Sequence, residues 1–199
     1  MTRFTKFAAA LAVAVSLFGC GAGKPAGQGH GVYMLLDTSG TYAIELQKAR
    51  QVISAILSKL NPGDSFGIAR IDSGSFSEKD IIVKVTFDDR PSVANQQKRQ
   101  FQQTIDKYIK TVKPAGFSDI TGGLLQAVEW LTEKNNKHKT IIVFSDLEEE
   151  LAKGYVRNID IQFDGYDVVA LNVTKLGKDN IDPRKYMGRV DQWQRRVEK

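Results

Sequence analysis

Short apolar runs that alternate with helix-like segments constrain the fold of this 199-residue chain more than any other feature. A short, continuous apolar run is typical of a strand that is buried on both faces of a parallel sheet. The predicted buried strands are 31–36, 65–72, 140–144 and 168–171. Segment 81–87 instead alternates between apolar and polar residues and follows the second strand after a short polar link. We therefore expect it to form an antiparallel edge strand in a hairpin.

Apolar residues at helical spacing fill the connections between the strands. The predicted helices run from about 41 to 60, from just after Pro91 to about 112, from about 124 to 131, and from Pro183 to about 197. Because strands alternate with helices, the predicted fold class is α/β. We expect a three-layer, Rossmann-like arrangement with a mostly parallel central sheet, one antiparallel edge strand and helices on both faces. With 42% apolar residues the chain can bury one ordinary core, which predicts one domain.

The first 19 residues have the pattern of a cleaved export signal. Arg3 and Lys6 precede an apolar segment, 7–18, that is shorter than the roughly 20 residues a membrane-spanning helix needs. The sequence Leu-Phe-Gly-Cys then resembles the bacterial lipobox, which implies that Cys20 becomes the first mature residue and carries a diacylglycerol and an N-acyl chain. Cys20 is the only cysteine, and lipidation removes what would otherwise be a reactive thiol in an exported protein.

The Gly-rich stretch 20–30 follows the signal and is predicted to be a flexible tether that includes a solvated His30. The predicted folded domain spans 31–199. Gly21 stands where an Asp would imply retention in the inner membrane, so the lipobox resemblance implies a protein anchored by lipid in the bacterial cell envelope, at the outer membrane. Without the signal the net charge is about +3, which is too small to indicate a nucleic-acid partner. We expect a monomer.

Oxygen-bearing side chains collect where predicted strands end and where a predicted helix begins. Ligands of open α/β sheets bind beyond the carboxyl ends of the strands. Two carboxylates and three hydroxyls suit a hard cation such as Mg²⁺, and the sequence offers no His or Cys cluster for a softer metal. The oxygen-bearing side chains at these positions are Asp37, Ser39 and Thr41 after the first strand, Ser118 and Asp119 before the third helix, and Asp146 after strand 140–144.

The motifs DTSGT, SDITGGLL and IIVFSD, together with NPGDSFGIARI, resemble the von Willebrand factor A domain and its metal-ion-dependent adhesion site. The resemblance extends from about Val32 to the C-terminus. It implies a bound divalent cation, Mg²⁺ with Mn²⁺ or Ca²⁺ as alternatives. The metal-site residues implied by the resemblance are Asp37, Ser39, Thr41, Ser118 and Asp146.

In the family, an acidic side chain of a partner protein completes the coordination of the metal. The resemblance therefore implies a protein-binding module whose ligand exposes an Asp or Glu, and not an enzyme. Thr41 stands where the family usually has Ser, and Ser118 stands where it usually has Thr. Thr121 is a rival for the latter position, but the register set by Gly123 and Leu124 favours Ser118.

Two other functions compete with this interpretation. MLLDTSGT also resembles the first motif of haloacid-dehalogenase-type phosphotransferases, which would make Asp37 a nucleophile. In the phosphatases of that group a second acid lies two residues further on, where this chain has Ser39, and no strand-end Lys stands out to hold phosphate. A structural lipoprotein that binds partners without metal is the other alternative. A serine triad is disfavoured, because His30 lies in the predicted tether and His138 in a polar turn.

Other charged residues near these motifs are expected to be solvated. Segment 148–154 is predicted to be an acidic turn or short helix, and Asp119 lies beside Ser118. The last predicted helix has one basic face. The residues expected to be solvated are Asp119, Glu148, Glu149, Glu150, Arg184, Lys185, Arg189, Arg195 and Arg196.

Overall fold

A computed structural model describes residues 29–40 and 45–198, and within them five strands and four α-helices. The predicted signal, Cys20 and Thr41 lie outside the described residues. Within the described part of the chain, no helix is both long and apolar enough to cross a membrane. The elements are β1 (His30–Asp37), α1 (Leu46–Lys59), β2 (Ser65–Ile71), β3 (Ile81–Thr86), α2 (Pro91–Thr111), α3 (Ile120–Lys134), β4 (His138–Phe144), β5 (Tyr166–Leu171) and α4 (Pro183–Val197).

The five strands form one sheet in the order β3-β2-β1-β4-β5. All neighbours are parallel except β3, which runs antiparallel to β2 at the edge. This arrangement confirms the predicted α/β class and its single antiparallel edge strand. The chain leaves β1 toward β2 on one side and later returns to β4 on the other, so the strand order reverses at β1. Because the carboxyl ends of β1, β2 and β4 lie at the same edge, this carboxyl edge is where a ligand site is expected.

Helices cover both faces of the sheet, and each face has its own apolar core. Met34 and Leu36 of β1 pack in the core formed with α1 and α2. Tyr33 and Leu35 point to the other face and pack in the core formed with α3 and α4. All four side chains are fully buried, as expected for successive residues of a strand covered on both faces. Burial of each such large apolar side chain contributes about 1.5–3 kcal/mol relative to exposure.

β1 and β4 begin earlier than the sequence predicted. Their parallel register extends back to a pair formed by His30 and His138, whose rings stack with centroids 4.9 Å apart. The His30 amide also donates to Asp64 Oδ1 at 2.9 Å. The prediction of His30 as part of the tether is therefore wrong, as is that of His138 as a turn residue, because strand pairing holds both. Both lie at the amino edge of the sheet, opposite the carboxyl edge.

Candidate functional site

Asp37 is the last residue of β1, and its carboxylate is buried at the carboxyl edge. It accepts hydrogen bonds from three directions. The Ser118 hydroxyl donates to Asp37 Oδ1 at 3.3 Å, and the Ser145 hydroxyl donates to Oδ2 at 2.6 Å. The Ser39 amide also donates to Oδ1, at 2.9 Å. Asp37 is thus the point where three separate segments of the chain meet.

Asp146, two residues beyond the end of β4, supplies a second buried carboxylate. Its Oδ1 accepts a hydrogen bond from the Glu148 amide at 2.9 Å. Burial raises the pKa of Asp146 above its ordinary value, and the nearby negative charge of Asp37 raises it further. The ionised form of Asp146 is therefore disfavoured at this edge by its burial and by the nearby Asp37.

Short backbone contacts hold the loops around these acids. The Ala115 amide donates to the Thr38 carbonyl at 2.7 Å, and Ser39 and Ala115 form an isolated β-bridge. Ser118 forms a second isolated bridge with Glu150, with hydrogen bonds of 2.8 and 3.0 Å. Because both bridges are made by the backbone, they fix the positions of Ser39 and Ser118 independently of side-chain rotamers.

The structure brings together four of the five sequence-predicted site residues, Asp37, Ser39, Ser118 and Asp146. The fifth, Thr41, lies outside the described residues. The rival Thr121 does not replace Ser118: its hydroxyl is buried and has no hydrogen-bond partner among the described residues, while its amide donates to Glu149 at 2.7 Å. Ser118 rather than Thr121 therefore contacts Asp37.

Sequence reasoning missed Ser145, whose hydroxyl makes the shortest of the hydrogen bonds to Asp37. Ser145 Oγ also accepts from the Leu147 amide at 2.9 Å, within a turn where Leu147 adopts a positive φ of 64°. Its position directly after a buried strand and before Asp146 was the signal available in the sequence. The turn geometry that directs its hydroxyl to Asp37 has no such signal in the sequence.

Two of the acids expected to be solvated are instead held by the fold. Asp119 is fully buried, caps α3 through the Gly122 amide at 2.8 Å, and forms an ion pair with Arg157 at 2.6 Å. Glu149 accepts from the Thr121 amide and lies 3.6 Å from an Arg196 nitrogen. The prediction is wrong for both, because segment 145–165 folds back over the start of α3.

Arg189 also departs from the predicted solvated face of the last helix. Its side chain is only 9% exposed and forms an ion pair with the buried Asp179 at 2.8 Å. It also pairs with Glu148 at 3.1 Å and donates to the Asp146 carbonyl oxygen at 2.9 Å. The basic face therefore clamps the loop after β4 through Arg189, whereas Arg184 on the same helix is 91% exposed, as expected.

The site's chemistry fits a hard divalent cation. Among the ion pairs of the described residues, none involves the carboxylate of Asp37 or Asp146, and Arg189 bonds to the backbone of Asp146 instead. Two buried negative charges without a direct cationic partner are costly. The available ligands are all oxygens, which suits Mg²⁺. In residues 29–40 and 45–198, no group of three or more His, Cys, Asp or Glu side chains is arranged to hold a metal ion, so hydroxyls and water would have to complete the coordination.

No family model and no characterised protein matches the sequence. Among solved structures, the chain is similar to the BatB protein of Bacteroides thetaiotaomicron, with 17% identity and a TM-score of 0.44, over 71% of this chain and 65% of that one. It is also similar to manganese-loaded Plasmodium vivax TRAP, with 17% identity and a TM-score of 0.44, over 61% and 48%. The chain is also similar to the pilus adhesin SpaC of Lactobacillus rhamnosus GG, with 15% identity and a TM-score of 0.43, over 60% of this chain and 15% of that one.

The chain spans less than two thirds of the length of each of these three proteins. Similarity at this level assigns no function to the chain.

Proposed function

We propose that this chain is a protein-binding module of the von Willebrand factor A type, which docks an acidic residue of a partner through a divalent cation. The observation that carries the proposal is the buried pair Asp37 and Asp146 at the carboxyl edge, with the Ser118 hydroxyl directed at Asp37. A cation at this point would neutralise the pair. The strand order reverses at β1, and ligands of open α/β sheets bind beyond the carboxyl ends of the strands at such a point.

Each residue has a distinct part in the proposed site. The hydroxyls of Ser39, Thr41 and Ser118 would hold the cation directly, and the carboxylates of Asp37 and Asp146 would orient its water ligands. Bound Mg²⁺, or Mn²⁺ or Ca²⁺ in its place, would supply a Lewis acid with a coordination position left for a partner's Asp or Glu. Ser145 would keep the Asp37 carboxylate in place through its 2.6 Å hydrogen bond.

The proposed location is the bacterial cell envelope, through lipid on Cys20. The chain enters the sheet at His30, at the amino edge, and reaches Asp37 at the carboxyl edge. A strand of eight residues spans about 26 Å at roughly 3.3 Å per residue. A tether that ends at the amino edge would therefore leave the candidate site facing away from the lipid surface, toward a partner.

A pull-down from envelope extract tests the proposal. The full chain is used as bait in Mg²⁺ and in EDTA, beside Ser118→Ala and the control Ser54→Ala, whose hydroxyl bonds to Gln102 on the helical surface. We expect wild type and Ser54→Ala to capture the same partner in Mg²⁺ only, and Ser118→Ala to lose it. Capture that survives both EDTA and Ser118→Ala would instead identify a structural lipoprotein that needs no metal.

The phosphotransferase alternative gains no support from the site. Both oxygens of Asp37 already accept hydrogen bonds from Ser118 and Ser145, and Ser39 occupies the place of the second acid. Incubation of the full chain with phosphate esters and Mg²⁺ separates the two functions. We expect no turnover, whereas steady turnover that is abolished by Asp37→Asn would overturn the binding-module proposal.

A further inference from the structure

A second polar site lies between β2, β3 and α2, outside the candidate metal site. It is a cleft of about 460 Å³, which we call the cationic cleft. Arg70 comes from the end of β2, Lys79 and Asp80 from the turn before β3, and the remaining polar residues from α2. The polar side chains that define the cationic cleft are those of Arg70, Lys79, Asp80, Thr104, Lys107, Tyr108 and Thr111.

The charges of the cationic cleft do not cancel. Arg70 is held by two carboxylates, with nitrogen–oxygen distances of 3.0 Å to both Asp72 and Asp80. Lys79 and Lys107 are exposed, and neither has an ion-pair partner among the described residues. Three cationic side chains thus face two carboxylates, and the two free lysines line the same cleft. A cleft with excess positive charge attracts anions.

Tyr108 supplies an unused hydrogen-bond donor in the same place. Its hydroxyl is buried and has no hydrogen-bond partner among the described residues. Burial raises the pKa of Tyr108 to about 12, so the phenol is a neutral donor at physiological pH. A buried polar group without a partner is destabilising, and an acceptor atom from a ligand would satisfy it.

We propose that the cationic cleft binds a small oxyanion, a phosphate or carboxylate group, through Lys79, Lys107 and the Tyr108 hydroxyl. The oxyanion belongs to a soluble molecule or a protein partner and not to the anchoring membrane. Arg70 pairs in register with Leu36, the residue before Asp37, so the cleft lies at the carboxyl edge. The predicted lipid anchor joins the sheet at the opposite edge. Binding here is independent of the proposed cation.

Calorimetric titration of the full chain with inorganic phosphate, and separately with succinate, tests this proposal in EDTA. The variants are Lys79→Gln/Lys107→Gln, Tyr108→Phe, and the control Lys110→Gln on the same helix outside the cleft. We expect saturable binding of at least one anion, weakened about tenfold or more in the double variant. Tyr108→Phe should weaken it about three- to tenfold and Lys110→Gln should not.

The two anions identify the natural group, because phosphate binding alone indicates a phosphorylated ligand and succinate binding indicates a carboxylate. Ser118→Ala should bind either anion as wild type does, so failure at the metal site leaves this result intact. Absence of saturable binding, or equal affinity in the double variant, would overturn the proposal. So would binding to phosphatidylglycerol vesicles without binding to either free anion.

Discussion

At the scale of single residues, the carboxyl edge holds acids in environments of two kinds. Asp119 is buried and forms an ion pair with the guanidinium group of Arg157. Asp37 and Asp146 are buried and accept hydrogen bonds from hydroxyl and amide donors. The negative charge of Asp37 also lies near Asp146. A hydrogen-bond donor stabilises a carboxylate but does not neutralise it. The two environments therefore distinguish an acid whose charge is neutralised within the fold from the two acids of the proposed metal site.

Asp146→Asn should stabilise the metal-free protein. The folded pKa of Asp146 is raised, so its stabilising contribution is present below the unfolded pKa of about 3.9 and is lost as pH rises through the folded value. At neutral pH the ionised side chain therefore opposes folding unless a cation is bound. Asn keeps the acceptor for the Glu148 amide. We expect Tm in EDTA at pH 7 to rise by about 2–4 °C, the shift that roughly 1 kcal/mol produces in a chain of this size.

The control for this prediction is Asp160→Asn, at an exposed position of the same segment. Its Tm should equal that of wild type. The Asp146→Asn variant should also lose the rise in Tm that Mg²⁺ gives to wild type. A lower Tm in EDTA would mean that the Asp146 carboxylate is stabilising without a cation.

Residue-level prediction from the sequence succeeded where the strand itself fixes the side chain. Asp37 ends a strand that is visible as an apolar run, and Asp146 follows another, so the sequence located both at the carboxyl ends of strands. Ser145, Arg157 and the burial of Asp119 were missed because they depend on the path of segment 145–165. That path is set by contacts with distant parts of the chain, which have no local sequence pattern.

At the scale of secondary structure, segment 145–165 joins β4 to β5 without a helix or a strand of three or more residues. Hydrogen bonds and an ion pair to α3, α4 and the residues before α3 hold it in place. Trp193 of α4 donates to the Leu147 carbonyl at 2.9 Å, Glu150 bridges to Ser118, and Arg157 pairs with Asp119 at the start of α3. Leu147, Ile161 and Phe163 of the same segment are buried in the core beside α3 and α4. The segment is therefore ordered by tertiary contacts and not by backbone hydrogen bonds of a helix or strand.

Arg157→Met should therefore be strongly destabilising. The substitution leaves Asp119 buried without its cation, and breaking a buried ion pair in this way costs about 3–5 kcal/mol. Arg157 retains some exposure, at 18% of its side chain, so we expect a loss nearer about 3 kcal/mol. Urea denaturation followed by circular dichroism measures it.

Arg184→Met is the matched control, because it breaks an arginine–aspartate pair whose arginine is 91% exposed. Surface pairs of this kind contribute roughly 0–1 kcal/mol. Equal losses of stability in Arg157→Met and Arg184→Met would contradict the assignment of Asp119 and Arg157 as the pin that holds segment 145–165 to α3.

At the scale of the whole molecule, the sheet separates the point where the chain enters it from the two proposed binding sites. The chain enters at the amino edge, and both the candidate metal site and the cationic cleft lie at the carboxyl edge. The alternation of strands and helices in the sequence was sufficient to predict that the carboxyl ends of the strands lie together, because parallel strands with right-handed crossovers place them at one edge. It was not sufficient to predict the cleft, which depends on how α2 packs beside β3.

Cys20→Ser tests the proposed anchor separately from the site. Because the acyl chains on Cys20 would supply the membrane affinity, the variant should move from the membrane pellet to the soluble fraction when cells are fractionated. The candidate site lies at the opposite edge of the sheet, so the Mg²⁺-dependent change in Tm should be the same as in wild type. A variant that stays in the membrane pellet would show that the anchor is not lipid on Cys20.

Calorimetric titration of the full chain with Mg²⁺, beside Ser118→Ala, measures whether a divalent cation binds at Asp37 and Asp146. We expect one saturable site per chain and a weakening of at least about tenfold in the variant. At a free cation concentration of about 100 times Kd, binding should add about 2.7 kcal/mol of stability, or roughly 5–10 °C in Tm. No saturable heat with Mg²⁺, Mn²⁺ or Ca²⁺, together with identical Tm values in cation and in EDTA, would contradict a metal site at Asp37 and Asp146.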